Sequence, residues 1–176
     1  LLVDFLDQKL KELFDSNKKV FESLVEFNFF NSTQTYENSK HRENFNTIRD
    51  YYKWLNSNRL TTINKEVVKS FSELRLANYL TLLGVSYKYE AKHEAKDIYH
   101  PDFKIINEDI YIELWGVDRN GKTAPHIDNE KYLSDMERKR QFYSHSKSKL
   151  IEIFYYEMIE DDWREIIKKK LKKYNI

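Results

Sequence analysis

The stretch HPDFKIINEDIYIELWG, residues 100–116, decides how the second half of the chain folds. Two short apolar runs flank Asn107 and Glu108, and each run carries one carboxylate: Asp102 begins the first, and Glu113 lies inside the second. If Asn107 and Glu108 form a two-residue hairpin loop, Asp102 lies directly opposite Glu113 on one face. A three-residue loop would instead put the two acids on opposite faces of the hairpin.

Two carboxylates that face each other across a hairpin repel, which destabilises the pair unless a positive charge lies near them. Mg²⁺ is a natural candidate, because it binds one or two carboxylates together with waters and substrate phosphate oxygens. The alternative interpretation is a hairpin whose acids decorate a solvated face.

Composition narrows the class of protein. The chain has 176 residues, 40% hydrophobic, with a formal net charge of +1, so any basic surface is local. It contains no cysteine, which excludes a disulfide scaffold and a cysteine-type zinc site and fits a cytoplasmic location. No apolar run is long enough for a transmembrane helix, so no membrane partner is expected. Because the sequence begins with Leu1-Leu2 rather than Met, we expect a segment of a longer protein.

Residue periodicity predicts most of the secondary structure. It predicts helices over residues 2–30, 45–56, 129–144 and 161–174, and one that follows Ser70 and stops at Gly84. It predicts strands over residues 85–90 and 149–157 and in both arms of the hairpin, with a polar loop over residues 31–40. One side of the second helix is expected to be apolar through Phe45, Ile48, Tyr52 and Leu55.

From residue 70 onward the order is helix, three strands, helix, strand, helix. This order predicts an α/β fold with a mixed central sheet flanked by helices. We place the domain limits at residues 1–60 for an N-terminal helical segment and 61–176 for the sheet domain.

Two further residues could join the paired acids. Glu73 follows Ser70 in the S-x-x-E pattern of a helix capping box, which alone explains it, although the first helical turn could also bring it to a sheet edge. Lys139 shares one helical face with residues that look buried, Tyr132, Met136 and Tyr143. Its alternative role is a side chain that packs its stem and keeps its ammonium in water.

An ordered set of short motifs runs from about residue 65 to residue 158. These motifs are VKSFSELRLANYL, YKYE, PDF, IELWG, DRNG and YLSDMERKR. In this order they resemble the PD-(D/E)xK nuclease superfamily, and more closely the nuclease-like domain of superfamily 1 DNA helicases of the DNA helicase IV type. The earlier FNTIRDYY also resembles the segment that precedes that domain. The resemblance implies a restriction-endonuclease-like core.

The resemblance also implies a set of roles. Asp102 and Glu113, with the carbonyl of Leu114, would hold Mg²⁺ or Mn²⁺ beside a phosphodiester, and Glu73 would hold a second metal or orient a water. The sequence departs from the family at Trp115, where the family usually has lysine. Some members supply this lysine from the following helix, and Lys139 would then position the attacking water.

The expected partner is DNA, with a helicase motor in the same or another chain. Arg119 and Lys122 in the DRNGK loop, and Arg138 and Arg140 on the following helix, are candidates for phosphate contacts; their alternative is an ordinary solvated loop and helix face. No G-x-x-x-x-G-K-[ST] motif is present, so this chain is not itself the motor. We therefore predict a metal-dependent nuclease of DNA repair or defence. The alternatives are a non-cleaving module that binds DNA or protein and a structural interaction domain.

Overall fold

The computed structural model describes residues 40–91, 93 and 100–176 of the chain. Residues 40–176 form one compact unit. Its helices are α1 (Ile48–Asn58), α2 (Phe71–Leu82), α3 (Asn129–Ser146), the one-turn α4 (Tyr155–Met158) and α5 (Trp163–Lys172). Its strands are β1 (Tyr87–Tyr89), β2 (Phe103–Ile105), β3 (Ile110–Trp115) and β4 (Lys149–Phe154).

The four strands form one mixed sheet in the order β1-β2-β3-β4. The first two pairings are antiparallel, whereas β3 and β4 are parallel. A parallel pair cannot be closed by a tight turn, because the chain must return to the same end of the sheet, and α3 makes this return. The predicted α/β architecture with a mixed sheet flanked by helices is confirmed.

The hairpin between β2 and β3 has the predicted register. Phe103 pairs with Ile112, and Lys104 pairs with Tyr111, which is the alignment that a two-residue loop at Asn107 and Glu108 requires. Asn107 has a φ of 67°, a left-handed conformation that asparagine tolerates better than most residues. Asp102 and Glu113 therefore belong to the same face of the hairpin.

The two faces of the sheet are covered by different helices. Because side chains alternate along a strand, Ile110 and Ile112 face one way while Tyr111, Glu113 and Trp115 face the other. The first face packs against α2 and α5 in the main core, which includes the following buried side chains: Leu76, Leu80, Phe103, Ile151, Trp163, Ile167 and Leu171. The second face, which carries Glu113, lies under α3.

Helix α2 begins and ends as the sequence predicts. The Ser70 hydroxyl accepts a hydrogen bond from the Glu73 amide at its start, and Gly84 follows its end with a φ of 73°. A residue with a side chain is strained in that left-handed conformation, so glycine suits the end of a helix. The predicted helices over 129–144 and 161–174 are also present, as α3 and α5.

Two sequence-based expectations are wrong. The strand predicted over 149–157 ends at Phe154, because the next four residues form α4, whose Glu157 carboxylate accepts a hydrogen bond from the Phe154 amide at 2.9 Å. On α1 the buried residue is Tyr51, whereas Ile48 and Tyr52 are 37% and 50% exposed. Ile48 and Tyr52 are therefore not buried as predicted, whereas Phe45, which precedes α1, is buried and Leu55 is half-buried.

Two predicted elements lie in a part of the chain that the structure does not describe. The helix over residues 2–30 and almost all of the loop over residues 31–40 lie outside the described residues. The predicted division between residues 60 and 61 stays a prediction. Helix α1, which precedes this division, belongs to the compact unit of residues 40–176.

Candidate active site

Glu113 is a buried carboxylate in the middle of the central strand. Its residue is 1% exposed, and both oxygens accept hydrogen bonds from helix α3. The Lys139 ammonium donates to Oε2 at 2.6 Å, and the Tyr143 hydroxyl donates to Oε1 at 2.8 Å. Lys139 and Tyr143 are four residues apart and so lie on the same side of the helix. The structure thus places Lys139 in direct contact with Glu113, one of the two acids that it is predicted to join.

Asp102 lies beside this pair, just before strand β2 begins. Its Oδ2 accepts a hydrogen bond from the amide of Leu114 at 2.6 Å. Burial raises the pKa of Asp102 well above its ordinary value, and the carboxylates of Glu113 and Glu73 raise it further. The Leu114 amide and the Lys139 ammonium act in the opposite direction but do not cancel these effects. The two acids of the hairpin therefore converge, as the register predicts.

Glu73 lies at the start of α2 and also borders the cleft that contains Asp102 and Glu113. Its Oε1 accepts a hydrogen bond from the Ser70 hydroxyl at 2.8 Å, and its Oε2 accepts from the Lys69 amide at 2.9 Å and the Tyr89 hydroxyl at 2.5 Å. Only the Ser70 half of the predicted capping box is present, in which the Ser70 hydroxyl accepts from the Glu73 amide. Glu73 binds the amide of Lys69 instead of the Ser70 amide that the full box requires. Burial raises the pKa of Glu73. Because Glu73 also raises the pKa of Asp102, the cap and the acid cluster are electrostatically linked.

A cleft of about 350 Å³ joins these groups. At roughly 30 Å³ per water, this volume holds about ten waters, enough for a hydrated ion and part of a phosphate. The cleft is lined by four acids, Glu73, Asp102, Glu113 and Asp135, and by three cations, Arg42, Lys69 and Lys139. All four residues that are predicted to be catalytic from the sequence thus border one cleft, together with Leu114.

Trp115 lies two residues after Glu113, at the position where the resemblance to PD-(D/E)xK nucleases would predict lysine. Its ring is buried, its indole N–H donates to Glu152 Oε1 at 2.9 Å, and the Lys139 ammonium lies 5.4 Å from the ring centroid. Arg140 donates to the same Glu152 oxygen at 2.6 Å. An ammonium over an indole face is attracted by the electron-rich ring. Trp115 therefore helps to hold the ammonium of Lys139, which reaches Glu113 from α3.

The residues fit a magnesium ion held mainly by waters. Within residues 40–91, 93 and 100–176, no group of three or more His, Asp or Glu side chains is arranged as a metal site. Mg²⁺ does not require one, since it usually takes one or two carboxylates and keeps several waters. Asp102, Glu113 and the Leu114 carbonyl are the groups that could hold it. Burial is the largest cause that raises the pKa of both acids, and the neighbouring Glu113 and Glu73 carboxylates raise the pKa of Asp102 further.

The four predicted phosphate-contacting residues lie elsewhere, and none of them lines the cleft. Arg119 pairs with Glu160, Arg138 pairs with Asp135 at 2.9 Å, and Arg140 pairs with Glu152. Lys122 is exposed in the loop. Their contacts with DNA stay a prediction.

Sequence reasoning missed Arg42 and Lys69, the two further cations of the cleft. Lys69 directly precedes the Ser70 cap, so its proximity to Glu73 could have been expected from the capping box. Arg42 lies 60 residues before Asp102 in the chain, and no local pattern connects the two.

Comparison of the chain with family models gives no match. Comparisons with curated proteins and with solved structures likewise give no match. Among the described residues, no helix combines the length and apolarity needed to cross a bilayer.

Proposed function

We propose that this chain is a metal-dependent nuclease that hydrolyses phosphodiester bonds of DNA. The single observation that carries the proposal is the meeting of Lys139 with Glu113, at 2.6 Å, in the cleft that Asp102 also lines. Lysine beside two convergent acids is the arrangement that the PD-(D/E)xK resemblance implies. We further propose that the sheet and its helices form a restriction-endonuclease-like core.

Each residue has a definite task in this proposal. Asp102 and Glu113 would hold Mg²⁺ or Mn²⁺ with the Leu114 carbonyl, and Glu73 would orient a water or help to hold a second ion. When bound, the metal supplies Lewis-acid polarisation of the phosphate. The Lys139 ammonium donates to the attacking water or to a phosphate oxygen, where negative charge develops. Tyr143 holds the Glu113 carboxylate by donating to its other oxygen.

The reaction adds one water across one phosphodiester bond. The water oxygen bonds to phosphorus, the bond from phosphorus to the leaving sugar oxygen breaks, and the leaving oxygen ends protonated. Negative charge grows on the phosphate oxygens during this step, so fixed positive charge near them lowers the barrier. Lys139 provides such a charge on a helix rather than on a mobile loop.

The test compares variants that differ in one charge. Wild-type protein should cleave end-labelled single- or double-stranded DNA with Mg²⁺ or Mn²⁺ and stop when EDTA is added. Asp102→Asn and Lys139→Met should each lower the rate at least about a hundredfold. The matched controls are Asp109→Asn at the exposed hairpin tip and Lys131→Met on the exposed side of α3, and both should cleave like wild type. Equal rates for Asp102→Asn and Asp109→Asn would contradict the proposal.

A second function is favoured by one observation. Both oxygens of Glu113 are already engaged by Lys139 and Tyr143, which would also suit a nuclease-like module that binds DNA or protein without cutting. DNA binding that is sensitive to salt, independent of metal and never followed by cleavage would support this alternative.

The biological setting is also part of the proposal. The resemblance to the nuclease-like domain of superfamily 1 helicases supports a role beside a helicase motor, in cytoplasmic DNA repair or defence. Stimulation of cleavage by a helicase motor acting on the same DNA would support this setting, and no change in rate would speak against it.

A further inference from the structure

Helix α1 carries an exposed stripe that the nuclease proposal does not use. The stripe consists of Ile48, Arg49, Tyr52, Lys53 and Asn56, all of them exposed. These positions follow the spacing of one helical face. We call this surface the α1 stripe. It interleaves two cations with an aromatic ring, whereas the opposite side of the helix is the one buried.

The rotation of α1 that exposes this stripe is set by Tyr51. Its ring is 2% exposed, packs against Phe45 with the ring centroids 5.4 Å apart, and donates its hydroxyl to the carbonyl of Lys69. This contact ties the helix to the segment that leads into α2 and Glu73. As a result, the exposed ring of Tyr52 is held at a fixed place. An exposed ring on an unanchored helix would not be fixed in this way.

Tyr52 connects the stripe to the catalytic groups. It is 50% exposed and lines the same cleft as Asp102, Glu113 and Lys139. A ring at the border of a catalytic cleft is within reach of the group next to the scissile phosphate. The cleft also contains Lys69, whose side chain is 65% exposed and pairs with Glu90 at the surface.

The positive charges of the α1 stripe and of the cleft are arranged to suit a polyanion. Four acids line the cleft, so an approaching phosphate chain is repelled unless cations accompany it. Arg49 and Lys53 on the stripe, followed by Arg42 and Lys69 in the cleft, provide cations from outside to inside. The net charge of the chain is only +1, so this local order, rather than total charge, would attract the substrate.

We propose that the α1 stripe and the cleft border bind single-stranded DNA, with one unpaired base stacked on Tyr52 and neighbouring phosphates on Arg49 and Lys53. This inference rests on the proposed nuclease function, because it assigns a substrate form to the same site. Aromatic side chains bind unpaired bases by stacking, and the faces of bases in a duplex are already covered by their neighbours. The aromatic ring therefore selects a single strand over a duplex.

Base stacking and phosphate contacts differ in how their loss changes the affinity for DNA and its salt dependence. Loss of one base–aromatic stack weakens binding about tenfold and leaves the salt dependence unchanged, because no counterion is released. Loss of one phosphate contact lowers the steepness of log Kd against log salt by about 0.7 for a single strand. Titrations at several salt concentrations therefore separate the ring from the cations.

The experiment measures fluorescence anisotropy of a labelled fifteen-nucleotide oligo(dT) and of the corresponding duplex, with Mg²⁺ present. All variants are made in an Asp102→Asn background, so the substrate stays intact. Tyr52→Ala removes the ring and Tyr52→Phe keeps it, while Lys53→Ala removes one cation. Lys149→Ala is the matched charge control, since Lys149 pairs with Ile110 at the end of β3 away from Glu113 and is exposed.

We expect Tyr52→Ala to bind the single strand about tenfold more weakly with an unchanged salt slope, and Tyr52→Phe to bind like the parent. Lys53→Ala should reduce the salt slope, and Lys149→Ala should not. Equal affinities of Tyr52→Ala and Tyr52→Phe, or an equal loss on the duplex, would overturn the inference. Cleavage by wild-type protein is scored separately: its absence alongside the Tyr52 effect contradicts only the nuclease proposal.

Discussion

Replacement of Lys139 by methionine tests the central contact of the site without any assay of cleavage. Methionine keeps much of the length and the apolar stem of lysine but removes the ammonium that lies 2.6 Å from Glu113. Glu113 would then remain buried, with only the Tyr143 hydroxyl as a donor. Its pKa, which burial already raises and Lys139 holds down, would rise further.

The expected cost follows from this geometry. Removal of one partner of a buried ion pair destabilises a protein by about 3–5 kcal/mol. Because the Lys139 side chain is 28% exposed and water reaches the cleft, we expect the lower end, about 3 kcal/mol at pH 8. For a unit of this size, that corresponds to a melting temperature lower by about 6–12 °C.

The destabilisation should depend on pH in a defined direction. A carboxyl group whose folded-state pKa is raised is most stable in its protonated form, so its penalty is absent at low pH and grows as pH rises through that pKa. At pH 5 Glu113 can take up a proton at little cost, and the effect of Lys139→Met should fall below about 1 kcal/mol. The variant is therefore expected to lose stability relative to wild type between pH 5 and pH 8.

The assay is urea unfolding followed by tryptophan fluorescence at both pH values. Lys131→Met, an exposed lysine on the same helix, is the matched control and should change stability by no more than about 0.5 kcal/mol. The double variant Glu113→Gln, Lys139→Met should recover most of the lost stability at pH 8, because neither member of the pair is then left as an unpaired buried charge. If Lys139→Met matches Lys131→Met at both pH values, the buried ion pair is not present and the reasoning fails.

Two further variants test the neighbourhood of the site. Trp115→Leu should lower the rate of DNA cleavage about fivefold relative to Trp115→Phe in single-turnover measurements, because only phenylalanine keeps an aromatic face under the Lys139 ammonium; equal rates would exclude this support. Burial lowers the pKa of His41 from 6.5 to about 4, and Arg75 adds to the effect. A depressed pKa gives stability above pH 6.5 that is lost as pH falls, so wild type should lose about 3 kcal/mol relative to His41→Gln between pH 6.5 and pH 4 in urea unfolding; parallel stability curves would contradict this.

Local rules account for the elements that the sequence predicts well. The hairpin register follows from the position of Asn107 and the alternation of apolar residues, both of which act between near neighbours. The beginning of α2 follows from the Ser70 cap, and its end follows from Gly84. The parallel strand β4 follows from its apolar run after a long helix, although its last three predicted residues form α4 instead.

The orientation of α1 could not be read from its sequence. Tyr51, Tyr52 and Trp54 are amphipathic, so two overlapping stripes of the helix have similar hydrophobicity and neither is preferred. The hydroxyl of Tyr51 decides between them by reaching the Lys69 carbonyl, 18 residues further along the chain. That choice exposes Tyr52 beside the cleft.

Some features of the candidate site could likewise be predicted from the sequence, and others depend on the tertiary structure. By itself, the sequence predicted that Asp102 and Glu113 share a face if the hairpin loop has two residues, that Glu73 belongs to a helix cap, and that Lys139 shares a helical face with buried residues. These features depend on hydrogen bonding and side-chain periodicity within a few residues. Only the tertiary structure decided that α3 packs over the Glu113 face of the sheet, which brings together Lys139 and Glu113 from 26 residues apart. Such a contact depends on how whole elements bury their surfaces against one another, and no short stretch of sequence contains that information.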